Sequence, residues 1–559
     1  MILFYCTSRL SQGAMKKFDY IIAGAGSAGC VLAKRLSQNY RVLLLEAGGS
    51  DSNILIKMPS ALIYPLNMSM FTWKQSTVPQ TNLNNRVIFW PHGKVVGGSS
   101  SINGMAYVRG NALDFEEWSK IQGLENWSYA DCLPYFRRAE CRDKGGDEYR
   151  GNDGPLFTTT GDPSKNPLYE AWIEAGKQCG YKQTTDMNGF QQEGLSTMQM
   201  TIKNGRRWSA ADAYLDGNPN LEISKNTIVH SLELTGKKVT GIKCIVGGTE
   251  KVFRAENEIV VSSGAIHSPL ILMRSGIGNF DDLRQFDVQL NHHLPGVGYN
   301  LQDHLEVFLQ NACKKPITLS KYNNLLGKLR VGIEWILTRK GIGATNHFET
   351  GGFIRSRAGI EYPNIQYHFV PTAMGYTGDK AFKGHGYQAH VGPMRSKSRG
   401  HVKLKTLKPL DDPMIDPKYL SHEEDFEEFR ACIRLTREIF DSDAFKPFKD
   451  YEIQPGVGIQ SDKEIDEWIR NSVESAYHAC GSCKMGYDES SVVDSEGRVH
   501  GIDNLRVVDA SIFPLITTGN LNAPTIMIAE KIADSIQGKK LSPSTAPFYT
   551  ADDWKSKQR

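Results

Sequence analysis

The chain has 559 residues, 40% of them hydrophobic, and 65 Lys and Arg against 62 Asp and Glu leave a net charge of +3. That near balance excludes the dense basic face of a nucleic-acid-binding protein and gives no reason to expect a strongly acidic partner, while the length suits several folding units with room to enclose a large cofactor. The 10 cysteines are mostly isolated and no apolar run approaches the span of a bilayer, so the expectation is a reduced, intracellular chain whose membrane contact, if it has one, is peripheral.

In chain order, the first fourteen residues, MILFYCTSRLSQGA, carry an apolar patch only at 2–6 and lack the charged start and long core of a secretory signal. They read as a disordered leader ahead of Met15, with an organelle-targeting peptide kept open because no acid precedes Asp19. From Phe18 the sequence FDYIIAGAGSAGCVLAKRLSQNYRVLLLEAGG is an apolar run, a glycine turn, a helical stretch and a second apolar run. Gly24 permits the tight turn, Gly26 lets backbone approach a pyrophosphate and Gly29 lets helix pack on strand. Glu46, at the end of the second run, is placed for a ribose 2′-hydroxyl, which disfavours NADP. Only one complete fingerprint is present, so one dinucleotide is expected, FAD rather than NAD.

A second glycine-rich segment, GKVVGGSSSINGMAYVRGN (93–111), has small residues suited to close approach to a flat ring. NEIVVSSGAIHSPLILMRSGIG repeats the order strand, small-residue turn, helix, as does NLRVVDASIFP followed by GNLNAPTIMIAEKIADSIQG, where Ile528, Ile532 and Ile536 recur every four residues. Between them NIQYHFVP, GYQAHVGPM and GHVKLKT read as antiparallel strands, and EEDFEEFRACIRLTREIF as an amphipathic helix with Phe426, Phe429 and Ile433 on one face. A dinucleotide domain is therefore interrupted by a sheet-bearing one, and the cleft between them is the expected site.

SAYHACGSCKMG (475–486) places His478, Cys480 and Cys483 within six residues. A zinc clip needs four ligands and finds at most three here. A thioredoxin-like thiol pair needs a regular helix, which Gly481, Ser482 and Gly486 interrupt. The third reading is one catalytic imidazole.

GKVVGGSSSINGMAYVRG, GAIHSPLILMRSGIG and HACGSCKMG, in this order, resemble the glucose-methanol-choline (GMC) family of FAD-dependent oxidoreductases, and the similarity runs from about Met15 to about Gly538. The resemblance implies an α/β plus α+β architecture. A Rossmann-like FAD-binding domain (15–157, 215–310, 475–540) is interleaved with an antiparallel-sheet substrate domain (158–214, 311–474), flanked by a leader at 1–14 and a tail at 541–559. It implies that Gly24, Gly26, Ser27, Ala28, Gly29, Glu46, Ala47, Gly98, Ser99, Asn103, Gly104, Val229, Asp509, Ala510 and Asn520 hold the cofactor. His478 is the implied base and Asn522 the second catalytic residue; Asn522, just ahead of Pro524, also suits a helix N-cap. Ile102 stands where oxygen-using relatives carry the histidine that links FAD covalently, so non-covalent FAD is expected. Ala479 and Ser482 replace the family's common proline and threonine and could shift the loop bearing His478.

ENWSYADCLPYFRRAE and LPGVGYNLQDHLE are similar to choline-oxidising members in particular. This implies that Glu306, Tyr477 and His368 surround a trimethylammonium group, and that choline is oxidised to betaine aldehyde, or on to glycine betaine, in glycine betaine biosynthesis. The alternatives are an alcohol dehydrogenase for uncharged aliphatic substrates, a non-redox hydroxynitrile lyase and a flavin-free scaffold. A respiratory quinone or another acceptor is the implied electron partner, with the chain cytoplasmic or peripheral on the cytoplasmic side of the membrane, although no amphipathic anchor is evident in the sequence.

Overall fold

The apolar runs read from the sequence assemble into one parallel sheet although they lie hundreds of residues apart. In the computed structural model, which describes residues 17–375 and 382–559, the strand order is Leu221–Ser224, Val42–Leu45, Phe18–Ala23, Ala255–Val261 and Leu505–Val507, every pair parallel. The expected leader at 1–14 lies outside the described residues. Covered on both faces, the middle of the sheet has no polar side to turn to water, and Ile21, Ile22, Leu44, Val260 and Val507 are wholly buried; the edge strand Leu221–Ser224 is only partly covered. Ser27–Ser37 and Asn522–Ile536 pack against one another, bridged by a two-bond ion pair from Arg35 to the buried Glu530 at 2.8 Å. Ile528 and Ile532 are buried and Ile536 partly so.

The second sheet is antiparallel, in the order Lys449–Gln454, Leu305–Cys313, Gly386–Pro393, Ile365–Val370, Thr350–Ile354 and Gly194–Thr197, with Glu474–Ser475 paired to the start of Leu305–Cys313. NIQYHFVP and GYQAHVGPM are neighbours in it, His368 opposite His390. GHVKLKT is a strand as expected, but it joins a separate small sheet with Tyr299–Leu301 and Met414–Asp416. Alternation sorts the side chains of the large sheet. Tyr367 and Phe369 turn to one side and pack on Trp172, with Phe369 and Trp172 stacked at 5.0 Å. The helix Glu423–Asp441 closes that side, burying Phe426, Phe429 and Ile433. Gln366 and His368 turn to the other side.

One helix departs from the sequence reading. Leu325–Thr338 is amphipathic and faces outward, burying only Val331 and Trp335. Gly327 and Gly332 interrupt its pattern, which hides it from a search for a continuous apolar stripe. No described helix is long and apolar enough to cross a membrane.

Candidate active site

A cavity of about 2070 Å³, its mouth included, runs between the two sheets. Every residue expected at the site, except Gly29, lines it. Gly29 lies just behind the wall, where a Cβ would come within 1.9 Å of the Gly24 carbonyl oxygen. Gly24 (φ +108°) leaves no room for a side chain either, since a Cβ would sit 2.4 Å from the Ser262 carbonyl oxygen. Gly98 (φ +54°) brings the second glycine-rich segment onto the first, 2.7 Å from Gly26 Cα by the same measure. The two segments form one cradle of bare backbone.

At one end of the cavity both carboxylate oxygens of Glu46 accept backbone N–H groups, from Ala25 at 2.9 Å and Gly48 at 2.8 Å. Burial pushes its pKa up to about 7 against those bonds. Val229 and Ala47 line this end, together with Arg274, whose Nε donates to the His230 carbonyl. Asp509 accepts from Gly264 N–H, Ser268 Oγ and Ser511 N–H, pinning the start of Gly264–Arg274 beside the cradle. Asn103 Oδ1 accepts from Met105 N–H and from the buried Arg207. Ile102, 3% exposed, offers only hydrocarbon to the cavity.

At the other end lies His478. Asp303, which sequence reasoning passed over between Gln302 and His304, fixes its loop. The buried carboxylate accepts His478 N–H at 2.7 Å and also bonds Ser475, Trp90 and Tyr419. Tyr477, between these anchors, is held at φ +62°, a conformation a tyrosine rarely adopts. The imidazole of His478 has two neighbours. Its Nδ1 meets His304 Nδ1 at 3.0 Å and its Nε2 meets Asn520 Nδ2 at 3.1 Å.

The hydrogen-bond chain decides the tautomers. His304 Nε2 faces the Met394 carbonyl at 2.9 Å, and a carbonyl can only accept, so this nitrogen carries the proton. Burial lowers the His304 pKa to about 4, so the ring is neutral and its Nδ1 is an acceptor. The proton between the rings therefore belongs to His478 Nδ1. Burial, reinforced by His304 and His368, holds the His478 pKa well below its usual value, which leaves Nε2 unprotonated beside the cavity. The Asn520 amide donates to it and accepts through Oδ1 from Gln366 at 3.0 Å.

The geometry separates the two asparagines expected at the site, although both line the cavity. Asn520, expected on the cofactor, is the amide beside His478. Asn522, expected as the second catalytic residue, is the first residue of Asn522–Ile536, and Leu521 rather than Asn522 occupies the cap position, without a capping side chain. Asn522 Oδ1 accepts from Ser27 Oγ at 2.7 Å, in the first glycine turn. Cys480 and Cys483 are fully buried and their thiols are pushed well up by burial, so both stay protonated. Among the described residues no group of His, Cys, Asp and Glu is placed to hold a metal.

Glu306, His368 and His390 project into the cavity from three adjacent strands of the large sheet. His390, which the sequence offered only as part of a strand, accepts at Nε2 from Gln388 (2.7 Å) and donates from Nδ1 to Glu306 Oε1 (3.1 Å). Phe348 stands edge-on to His368 and His390 at 5.4 and 5.7 Å. The Tyr477 ring packs on the apolar cluster of Ile56, Leu66, Phe71, Val95 and Ile102, and burial keeps its phenol protonated. This end thus combines one carboxylate, aromatic rings and a basic imidazole nitrogen.

Two family models, both described as GMC oxidoreductase, match residues 18–306 and 396–529. The chain is 53% identical over 548 residues to an oxygen-dependent choline dehydrogenase of Klebsiella pneumoniae, covering 96% of this chain and 99% of that one. A protein of the same description from Vibrio vulnificus is 53% identical over 97% of this chain and 98% of its own. Among solved structures, pyridoxine 4-oxidase from Mesorbium loti superposes with a TM-score of 0.84 at 32% identity, covering 94% of this chain and 100% of the other. Formate oxidase from Aspergillus oryzae does so with a TM-score of 0.88 at 25% identity, covering 94% and 98%.

Proposed function

The chain belongs to the GMC oxidoreductase family, and from that premise we propose that it binds FAD along this cavity and oxidises choline to betaine aldehyde. The observation that carries the reading is the pairing, in one cavity, of a histidine whose Nε2 is held as a lone pair with a buried carboxylate on the sheet that roofs it. The dinucleotide fits the residues present. The two glycine segments admit backbone within van der Waals reach of a diphosphate and a flat ring, and Glu46 keeps free lone pairs for ribose hydroxyls. When bound, FAD supplies the hydride acceptor. Ile102 has no nucleophilic atom at the position where a covalent link was in question, which supports non-covalent binding of the cofactor.

The chain's own residues supply the proton chemistry. An aliphatic hydroxyl is roughly as weak an acid as water, with a pKa of about 15.7, so its proton must be taken as the carbon loses hydride. His478 Nε2 takes it, and the O–H bond pair becomes the second bond of the new carbonyl. Asn520 donates to the substrate oxygen while its own carbonyl is held by Gln366. His304 acts as a positioning residue, keeping the Nδ1 proton of His478 on the side away from the substrate. Glu306, oriented by His390, faces the trimethylammonium group, which offers no hydrogen bond and is recognised by charge and by the rings of Tyr477 and Phe348. Hydrated betaine aldehyde presents the same CH–OH group to the same base, which extends the reaction to glycine betaine. The electrons pass to a quinone, with the chain peripheral on the cytoplasmic side of the respiratory membrane.

The test is the visible spectrum of the purified protein before and after anaerobic choline. Saturable bleaching of a flavin spectrum, with all yellow colour released to the supernatant by acid precipitation, is expected. An oxidised spectrum untouched by choline, or a colourless protein, contradicts the reading, and colour retained in the acid pellet contradicts non-covalent binding.

A further inference from the structure

The helix Leu325–Thr338 is attached through two buried side chains, Val331 and Trp335, and turns a wide apolar face outward. Leu325, Leu326, Leu329, Ile333, Ile336 and Leu337 are 82, 77, 56, 49, 50 and 78% exposed. At about 3.6 residues per turn these six fall within an arc of about 120°, opposite the two anchors. Such a face is far larger than the single exposed hydrophobics any surface carries.

The charges around it have one sign. Lys321, Lys328, Arg330, Arg339 and Lys340 are all exposed, against one acid, Glu334. On the helical circumference Arg330 lies just beyond one edge of the apolar arc and Lys328 beyond the other. With 14 residues the helix is about 21 Å long, short of the ~30 Å hydrocarbon core, and its geometry suits lying in an interface plane.

The buried side of the helix leads to the cavity wall. In the turn that follows it, a Cβ on Gly343 would come within 2.6 Å of Trp335 and 2.9 Å of Met58. From there Asn346 donates to the Gly104 carbonyl at 2.7 Å, and Phe348, Leu62 and Leu66 line the cavity.

We propose that this face docks on an anionic lipid bilayer, the six apolar side chains entering the acyl boundary and the lysines and arginines meeting headgroup phosphates. The inference deepens the membrane contact proposed above by naming its surface, and it does not depend on the substrate. Two copies pairing through this face would bring two basic stretches together, whereas an anionic surface complements them; this favours the bilayer as occupant.

The test is flotation of the FAD-loaded full chain with vesicles of phosphatidylethanolamine and about 30% phosphatidylglycerol, against phosphatidylcholine alone. Wild type is expected to float with the anionic vesicles, and about tenfold less with phosphatidylcholine or in high salt. Leu325→Ser/Leu329→Ser/Ile333→Ser and, separately, Lys328→Glu/Arg330→Glu should each lower the bound fraction about tenfold, with flavin content and choline bleaching unchanged. Wild type that floats with neither vesicle, or an apolar variant that floats undiminished, overturns the proposal. So does a concentration-dependent dimer that the apolar substitutions abolish without flotation ever being seen. Flotation and bleaching are read on one preparation, so failure of the docking surface and failure of the substrate reading are told apart.

Discussion

Replacing Glu306 by Gln keeps the shape of the residue and its bond from His390 while deleting one negative charge from the cavity wall. A carboxylate and a quaternary ammonium about 4 Å apart attract by about 4 kcal/mol at an effective dielectric near 20. Part of that is offset by desolvating both ions, which leaves about 2–3 kcal/mol. The rings of Tyr477 and Phe348 contribute about 0.5–2 kcal/mol and are untouched by the substitution. Choline affinity should therefore fall about 30- to 150-fold. The neutral isostere 3,3-dimethylbutan-1-ol, which has the same branched head without the charge, should change by less than about threefold. The assay is anaerobic stopped-flow reduction of the flavin, with dissociation constants taken from the saturation of the rate for each substrate. Equal losses for both substrates would refute the assignment of Glu306 to the cation.

Asn520→Ala removes the amide beside His478 and should slow flavin reduction by about 10–10²-fold, whereas Asn522→Ala, which severs the Ser27 bond, should chiefly weaken FAD retention; the opposite pattern in paired stopped-flow and flavin-release measurements would restore Asn522 to the catalytic role. His304→Phe leaves the Nδ1 proton of His478 without its acceptor and should lower the reduction rate about tenfold or more at saturating choline, with partial recovery in His304→Asn, which can accept that proton; a rate equal to wild type would remove His304 from the relay. Burial lowers the pKa of His92, His304, His347 and His368 to about 4 in the folded chain. The unfolded chain therefore binds more protons below about pH 6.5, and stability falls as the pH drops through 6.5 towards 4, each histidine accounting for up to about 3 kcal/mol. Thermal unfolding of the holoprotein should show a melting temperature that declines steadily over that window; a flat profile would contradict neutral burial.

The sequence carried those parts of the site that backbone sterics dictate. Gly24 and Gly98 are glycines because the cradle leaves no space for a Cβ, and such constraints survive without knowledge of the rest of the fold. His478 was placed by motif. The two asparagines stand on either side of a helix start, where a change of backbone direction over two residues sends Asn520 to His478 and Asn522 to Ser27. Nothing in the local sequence fixes that direction. The carboxylate wall was only partly legible for a different reason: Glu306, His368 and His390 meet through strand register across loops of many residues, so His390 and the Met394 carbonyl that sets the His304 tautomer leave no local signal. Asp303 could have been found, since a buried acid beside His304 needs several donors and the loop before His478 supplies them. The outward helix escaped because Gly327 and Gly332 break its periodicity and Trp335, its main anchor, is itself apolar.

If His478 Nε2 takes the hydroxyl proton, flavin reduction by choline must depend on it, and His478→Ala is the decisive variant. With FAD bound and its spectrum unchanged, the limiting reduction rate should fall by about 10²–10⁴-fold. A variant that holds flavin normally and is reduced by choline within about tenfold of the wild-type rate would contradict it.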